Sequence, residues 1–292
     1  MIRLTYPALF ALILSFFGVG LAWTTGQQAA AKEGAADVVS IGNAVTEIVY
    51  ALGQEHRLVA RDSTSTYPAA AQDLPNIGYM RALSAEGVLS VGPNLIISTE
   101  GAGPPEVVDV LKSTGLNFIE VPEGYTPEAI SEKILIIGRA LEVEDAAETL
   151  AAEVTADIAA AMRNRAEGGA PKRVMFVMSA QGGKLIAAGQ DTSAGAIIEL
   201  AGGVNAVDGY SGWKTIEDEA ATAAAPDFVL MMSRAGNHSA DAETLFALPS
   251  LSTTPAAQNS ALIKMEGQKA LGFGPRTAEA IRELNTALYG AE

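Results

Sequence analysis

The sequence predicts an α/β protein built as two similar lobes joined by a long helix. Three observations carry that expectation. From Val38 onward, short apolar runs, turns and amphipathic segments repeat, the signature of alternating strands and helices. The stretch from Pro127 to about Glu167 is rich in Ala, Glu, Leu and Ile, has no proline after its start, and reads as nearly continuous helix. A short pattern also occurs once on each side of that helix. Glu86 is followed seven residues later by Pro93-Asn94-Leu95-Ile96-Ile97, and Glu219 seven residues later by Pro226-Asp227-Phe228-Val229-Leu230. Each reads as a short helix that turns at proline into a buried strand.

The first segment in chain order is a leader. Met1-Ile2-Arg3 supplies one positive charge, a mostly apolar stretch runs from Ala8 to Trp23, and the small residues Ala29-Ala30-Ala31 precede the polar Lys32 and Glu33. That is the plan of a secretory signal peptide, residues 1–31, with cleavage near Ala31. An apolar run of about 16 residues falls short of the ~20 that span a bilayer, which argues against an uncleaved anchor.

The elements that follow each have a local reason. Val38-Val39-Ser40-Ile41 reads as a first strand, and Ala44 to Leu52 as a helix, with Val45, Ile48, Val49 and Leu52 at helical spacing and Gly53 as its stop. Further strands are expected at Leu58-Val59-Ala60, Leu95-Ile96-Ile97 and Phe118 to Val121. Gly138 and the stretch Glu142-Val143-Glu144-Asp145 divide the long helix in two, the second piece running from about Asp145 to Arg165. Gly168-Gly169-Ala170-Pro171 ends it and marks the clearest domain boundary. The expected organisation is an N-terminal lobe over 32–143, a linking helix over 144–168 and a C-terminal lobe over 169–292. In the second lobe, strands are expected at Arg173 to Met178 and Phe228 to Met232, and a helix from Gly195 to Leu200 that ends at Gly202-Gly203.

Composition narrows the function. The chain has no cysteine, so it lacks the residue that carries a lipoprotein's anchor, and neither disulfides nor thiolate metal sites enter any mechanism. Net charge is -15, and removal of a leader whose only charge is Arg3 takes it to -16. A chain this acidic, with no basic cluster, repels a phosphate backbone, which excludes nucleic-acid binding. There is no Walker-type phosphate loop, no Gly-x-Ser-x-Gly elbow and no His-Glu-x-x-His motif, so the expectation is that this is not an enzyme. The two histidines, His56 and His238, are too few and too far apart for a zinc or manganese carrier's site.

With this organisation, the segment Ser63-Thr64-Ser65-Thr66-Tyr67-Pro68 and the run from Leu74-Pro75-Asn76-Ile77-Gly78-Tyr79-Met80-Arg81 to Ser84-Ala85-Glu86-Gly87 resemble the haem-binding members of the helical-backbone class of periplasmic binding proteins. The late stretch Leu271-Gly272-Phe273-Gly274-Pro275-Arg276-Thr277 is similar to the same members. The resemblance covers essentially the whole chain after the leader. It implies a class III periplasmic binding protein with two Rossmann-like lobes and central sheets. The ligand is then haem, bound in the inter-lobe cleft and delivered to an ABC transporter, a permease dimer with its ATPase, by a monomeric periplasmic carrier.

The resemblance implies roles for particular residues. Tyr67, on the loop after the second strand, becomes the axial ligand to a ferric haem iron. A phenolate is a hard anionic donor that suits Fe(III), and open α/β sheets bind ligands beyond the carboxyl ends of their strands. Read without the resemblance, Tyr67 is a half-buried turn tyrosine beside Pro68. Arg81 either pairs with a haem propionate or is a solvated surface arginine. Tyr79 and Met80 either pack on a porphyrin face or belong to the core. In the second lobe, Gln268-Lys269-Ala270 stands where haem-binding members often have an aromatic residue, so a second phenolate is absent there. His238 and Arg234, just beyond the strand Phe228–Met232, are the replacement candidates, and Tyr210 and Trp213 are candidates to stack on the macrocycle. Glu86 and Glu219, one per lobe, are implied to meet arginines of the transporter. Within the same class, cobalamin or a ferric siderophore is the alternative ligand.

Overall fold

Four parallel strands form the first sheet of the computed structural model, which describes residues 37–163, 170–233 and 241–290, all within one compact unit from Ala35 to Glu292. The expected leader lies outside the described residues. Strand β1 (Val38–Ile41) leads through helix α1 (Asn43–Ala51) to β2 (Leu58–Arg61), and the chain then passes through α2 (Ala85–Leu89) to β3 (Leu95–Thr99) and through α3 (Pro105–Ser113) to β4 (Asn117–Val121). The order is β2-β1-β3-β4. Every residue of β1 and β3 is buried, as expected of parallel central strands covered by helices on both faces.

Helices α4 (Pro127–Ala140) and α5 (Glu144–Arg163) form an antiparallel pair beside this sheet. Thr126 caps α4 by accepting a hydrogen bond from the N–H of Ala129, and Pro127 occupies the first turn, where its missing donor costs nothing. The buried face of α5 carries Ala147, Ala151, Val154, Ile158 and Ala161, a stripe at helical spacing made mostly of small residues. The helix break falls at Leu141–Val143, where Glu142 turns left-handed at φ 61°. Gly138, expected to help break the helix, is instead inside α4. A Cβ there would stand 2.1 Å from the Cβ of Ala147, so its glycine serves the close crossing of the two helices.

Past α5 the second sheet has six strands. Its main path is β10 (Leu262–Glu266), β9 (Phe228–Ser233), β5 (Arg173–Gln181), β6 (Lys184–Ala188) and β8 (Trp213–Ile216), with β7 (Val204–Asn205) pairing β5. Strands β9 and β10 run parallel to each other and β9 parallel to β5, while β6 is antiparallel to β5 and β8. Helices α6 (Ser193–Leu200), α7 (Asp218–Ala223), α8 (Ala242–Phe246), α9 (Pro255–Gln258), α10 (Gly267–Leu271) and α11 (Thr277–Tyr289) complete this lobe. One continuous apolar core runs from Val38 and Ile97 through Ile134 and Ile158 to Phe176, Ile281 and Leu288, so residues of both lobes share it. No helix among the described residues is long and apolar enough to cross a membrane.

Candidate functional site

The site begins with a buried aspartate. Asp62, directly after β2, is fully buried and accepts hydrogen bonds from the N–H of Gly42 (3.0 Å), the N–H and hydroxyl of Thr64 (2.9 and 2.6 Å) and the hydroxyl of Ser65 (2.7 Å). Four donors on one carboxylate fix the turn that follows β2 to the turn that follows β1. Arg61 secures the far side of the loop, donating to the carbonyls of Ala71 (3.2 Å), Asp62 (3.1 Å) and Gln72 (3.4 Å). The loop held in this way presents Tyr67, whose side is 42% exposed. Among the described residues none hydrogen-bonds its phenol oxygen.

The opposite lobe reaches across to the same loop. The side-chain oxygen of Gln268 in α10 accepts hydrogen bonds from the N–H of Thr66 (2.9 Å), the hydroxyl of Thr66 (3.1 Å) and the N–H of Tyr67 (3.0 Å). Arg276 at the start of α11 lays its guanidinium 3.5 Å from the centroid of the Tyr67 ring, a cation–π arrangement. That guanidinium is anchored by Glu47 of α1, to which it donates from Nε (3.2 Å) and Nη2 (3.0 Å), while the Arg276 N–H donates to the other carboxylate oxygen (3.1 Å). Burial pushes the Glu47 carboxyl up from its ordinary pKa, with the donors of Arg276 pulling against it. Burial is the largest influence on Arg276 and works against its charge, and the hydrogen bonds to Glu47 together with the negative charges of Glu47 and Glu266 outweigh it, holding the guanidinium above its usual value.

The other predicted residues divide by lobe. Tyr79 is 49% exposed and Arg81 is exposed, both on the segment that follows Asn76 and Gly78, with Met80 partly buried between them. Arg81 lies close enough to Tyr125 to influence it. Burial first, and the Glu123 carboxylate second, push the Tyr125 phenol up, while Arg81 opposes them. The Tyr125 ring meets the edge of Phe273 at 5.1 Å, a third contact between the lobes. Tyr125 also lines a cavity of about 500 Å³, together with Thr126, Met162, Gln190, Asp191 and Asn205 among others; Tyr67 and Arg81 are not in its wall.

Tyr210 and Trp213 are engaged inside the C-terminal lobe and are not brought to Tyr67. The Tyr210 hydroxyl donates to the carbonyl of Ala187 (3.2 Å), and Trp213 packs edge-on against the buried Phe176 at 5.5 Å. Lys269 pairs with Glu283, and His56 is an exposed residue of a short 3-10 turn. Arg234 and His238 lie outside the described residues. Glu86 and Glu219 are both exposed and both stand in the first turn of short helices, α2 and α7, where a carboxylate is favoured by the helix dipole.

A model of the periplasmic binding protein family matches residues 38–268, which takes in both sheets and the linking helix. The chain belongs to that family. Among solved structures, the family member described as periplasmic heme-binding protein BhuT in complex with two hemes is 38% identical, with a TM-score of 0.82 over 87% of this chain and 98% of that one. Periplasmic heme-binding protein RhuT from Roseiflexus sp. RS-1, in apo form, is 35% identical, with a TM-score of 0.84 over 88% of this chain and 98% of that one. A vitamin B12-binding protein of Yersinia pestis is 25% identical over 76% of this chain and 78% of its own length. These family members share the two α/β lobes and the connecting helix, the fold class that the sequence predicts, and are substrate-binding transport proteins.

Three residues of the site had no role in the sequence reading: Glu47, Gln268 and Arg276. Arg276 lies in the stretch Leu271–Thr277 that is similar to haem-binding members, and Gln268 lies beside Lys269, where those members are expected to have an aromatic residue. The signal available for Glu47 was a charged residue on the face of α1 that also carries Ile48, and that face is buried.

Proposed function

We propose that this chain is a periplasmic carrier that binds ferric haem between its lobes through the Tyr67 phenolate and hands it to an inner-membrane ABC transporter. The observation that carries the reading is the state of Tyr67: an open phenol oxygen on a loop anchored by Asp62, with a guanidinium against the ring face. A phenolate suits Fe(III). Arg81 and Tyr79, on the same lobe, supply a cation for a propionate and an aromatic face for the macrocycle. Arg234 and His238 remain the proposed contacts from the second lobe. The relatives with 38% and 35% identity are described as heme-binding, which supports haem over other ligands of the class.

In this reading residues 1–31 are removed on export, the chain without cysteine travels free of a lipid anchor, and the mature protein acts as a monomer with lobes over 32–143 and 169–292 and a link over 144–168. Glu86 and Glu219 contact the permease, which works with its ATPase. Cobalamin is the second reading, favoured by the Yersinia pestis relative.

Absorption titration of the purified mature protein with hemin tests the choice. The expected result is a ferric tyrosinate-type spectrum at about one haem per chain, lost in Tyr67→Phe. Perturbation of the cobalamin spectrum with none of hemin's would overturn the haem reading.

A further inference from the structure

Gln268 is 6% exposed, and among the described residues the hydrogen bonds of its side chain all cross to the other lobe. Its oxygen takes the Thr66 and Tyr67 donors, and its amide nitrogen faces the carbonyls of Asn43 (3.5 Å) and Tyr67 (3.4 Å) and the carboxylate of Glu47 (3.4 Å). Gln268 itself is fixed in place: the Glu266 carboxylate accepts from the N–H groups of Gln268 (2.7 Å) and Lys269 (2.8 Å), capping α10, and a Cβ on Gly267 would stand 2.8 Å from the sulfur of Met232. Glu47 then ties the same glutamine to Arg276, whose guanidinium covers the Tyr67 ring.

We infer that Gln268 is a positioning residue that lets the C-terminal lobe preset the Tyr67 loop of the N-terminal lobe, in place of donating a ligand of its own. The inference rests on the haem reading for its consequence, and on the hydrogen bonds alone for its geometry. The Gln268 side chain grips the main chain on both sides of the Thr66–Tyr67 peptide, so the phenol oxygen is held at one place without the loop being ordered afresh when ligand arrives. Pre-ordering of this kind lowers the entropic cost of binding and shows mainly as slower ligand release. Arg276 and Glu47 complete the arrangement by fixing the ring as Gln268 fixes the backbone.

Two readouts on Gln268→Leu test it. In the ligand-free protein, amide hydrogen exchange at Thr66 and Tyr67 is expected to quicken, while the amides of Thr64, held by the Asp62 carboxylate, and of Ser65, held by the Asp62 carbonyl, keep their rates. In the haem complex, dissociation is expected to speed up by roughly tenfold, since donors in a buried setting lose their acceptor, with the tyrosinate band shifted or weakened. In a Tyr67→Phe background the same substitution should leave haem release unchanged, because its effect passes through Tyr67. Unchanged exchange at both amides, or equal acceleration of release in the two backgrounds, would overturn the inference. A wild-type protein without a tyrosinate band would instead overturn the haem reading, with the exchange measurement still deciding the positioning role. A variant too unstable to measure is replaced by Gln268→Met, for which the same outcomes apply.

Discussion

The guanidinium of Arg276 lies against the face of Tyr67 at 3.5 Å while its donors are held by Glu47, so one residue of the C-terminal lobe is shared by two of the N-terminal lobe. Both members of the ion pair are largely buried, at 12% and 7% side-chain exposure. A buried pair contributes little net stability, yet breaking one half strands the other. Arg276→Met is therefore expected to destabilise by about 3 kcal/mol in urea unfolding, and Glu47→Leu/Arg276→Met by less than either single change. A double variant that loses the sum of both would contradict this account of the pair.

Lys133 supplies a pH dependence. Its side chain is 3% exposed on the buried face of α4, and burial depresses its pKa below the ordinary 10.5, with Glu123 pulling the other way. The unfolded chain therefore binds more protons than the folded one between the depressed value and 10.5, and stability from this site rises with pH through that window. Lys133→Met should unfold at higher denaturant than wild type at pH 7, with the difference shrinking toward pH 10. Parallel profiles across that range would show that the lysine is not the cause.

Docking is tested apart from binding. Glu86→Arg/Glu219→Arg should keep the haem spectrum and its release rate, since both residues are exposed in the first turns of their helices, and should abolish transporter-dependent uptake. Uptake at the wild-type rate would remove both glutamates from the interface.

Gly138→Ala measures the crossing of α4 on α5. The added methyl would meet Ala147 at 2.1 Å, and helix propensity, which favours alanine by about 1 kcal/mol, opposes the strain. Overpacking of about 1–3 kcal/mol is expected to win, seen as a lowered Tm, and Gly138→Ala/Ala147→Gly should recover most of the loss.

The sequence made the N-terminal sheet readable because its strands are continuous apolar runs such as Leu95-Ile96-Ile97, each closed by proline, glycine or a polar turn. The antiparallel strands of the second lobe were harder. In β6 an exposed Lys184 and Ile186 alternate with buried Leu185 and Ala187, a pattern short enough to be missed, although Gly182-Gly183 ahead of it is a hairpin signal with both residues at positive φ. Tyr67 could be singled out because a loop tyrosine belongs to a local motif. Gln268 and Glu47 could not, because their meaning depends on partners 201 and 221 residues away that only the folded chain brings near. Tyr210 and Trp213, an aromatic pair in a glycine-rich loop, have contacts that the sequence does not show: a hydroxyl hydrogen bond to Ala187 and an edge contact with Phe176.

The chain passes from the first sheet to the second only once, through α5, yet the Tyr67 loop is finished by Gln268 and Arg276, more than 200 residues later. A chain growing from its N-terminus therefore has every residue of its first sheet long before it has either partner of that loop. Any product cut short ahead of Gly267 lacks both, so the Thr66 and Tyr67 donors lose their acceptor and the Tyr67 ring its guanidinium. Completion of the chain becomes a condition of a finished Tyr67 loop, enforced by where two late side chains land.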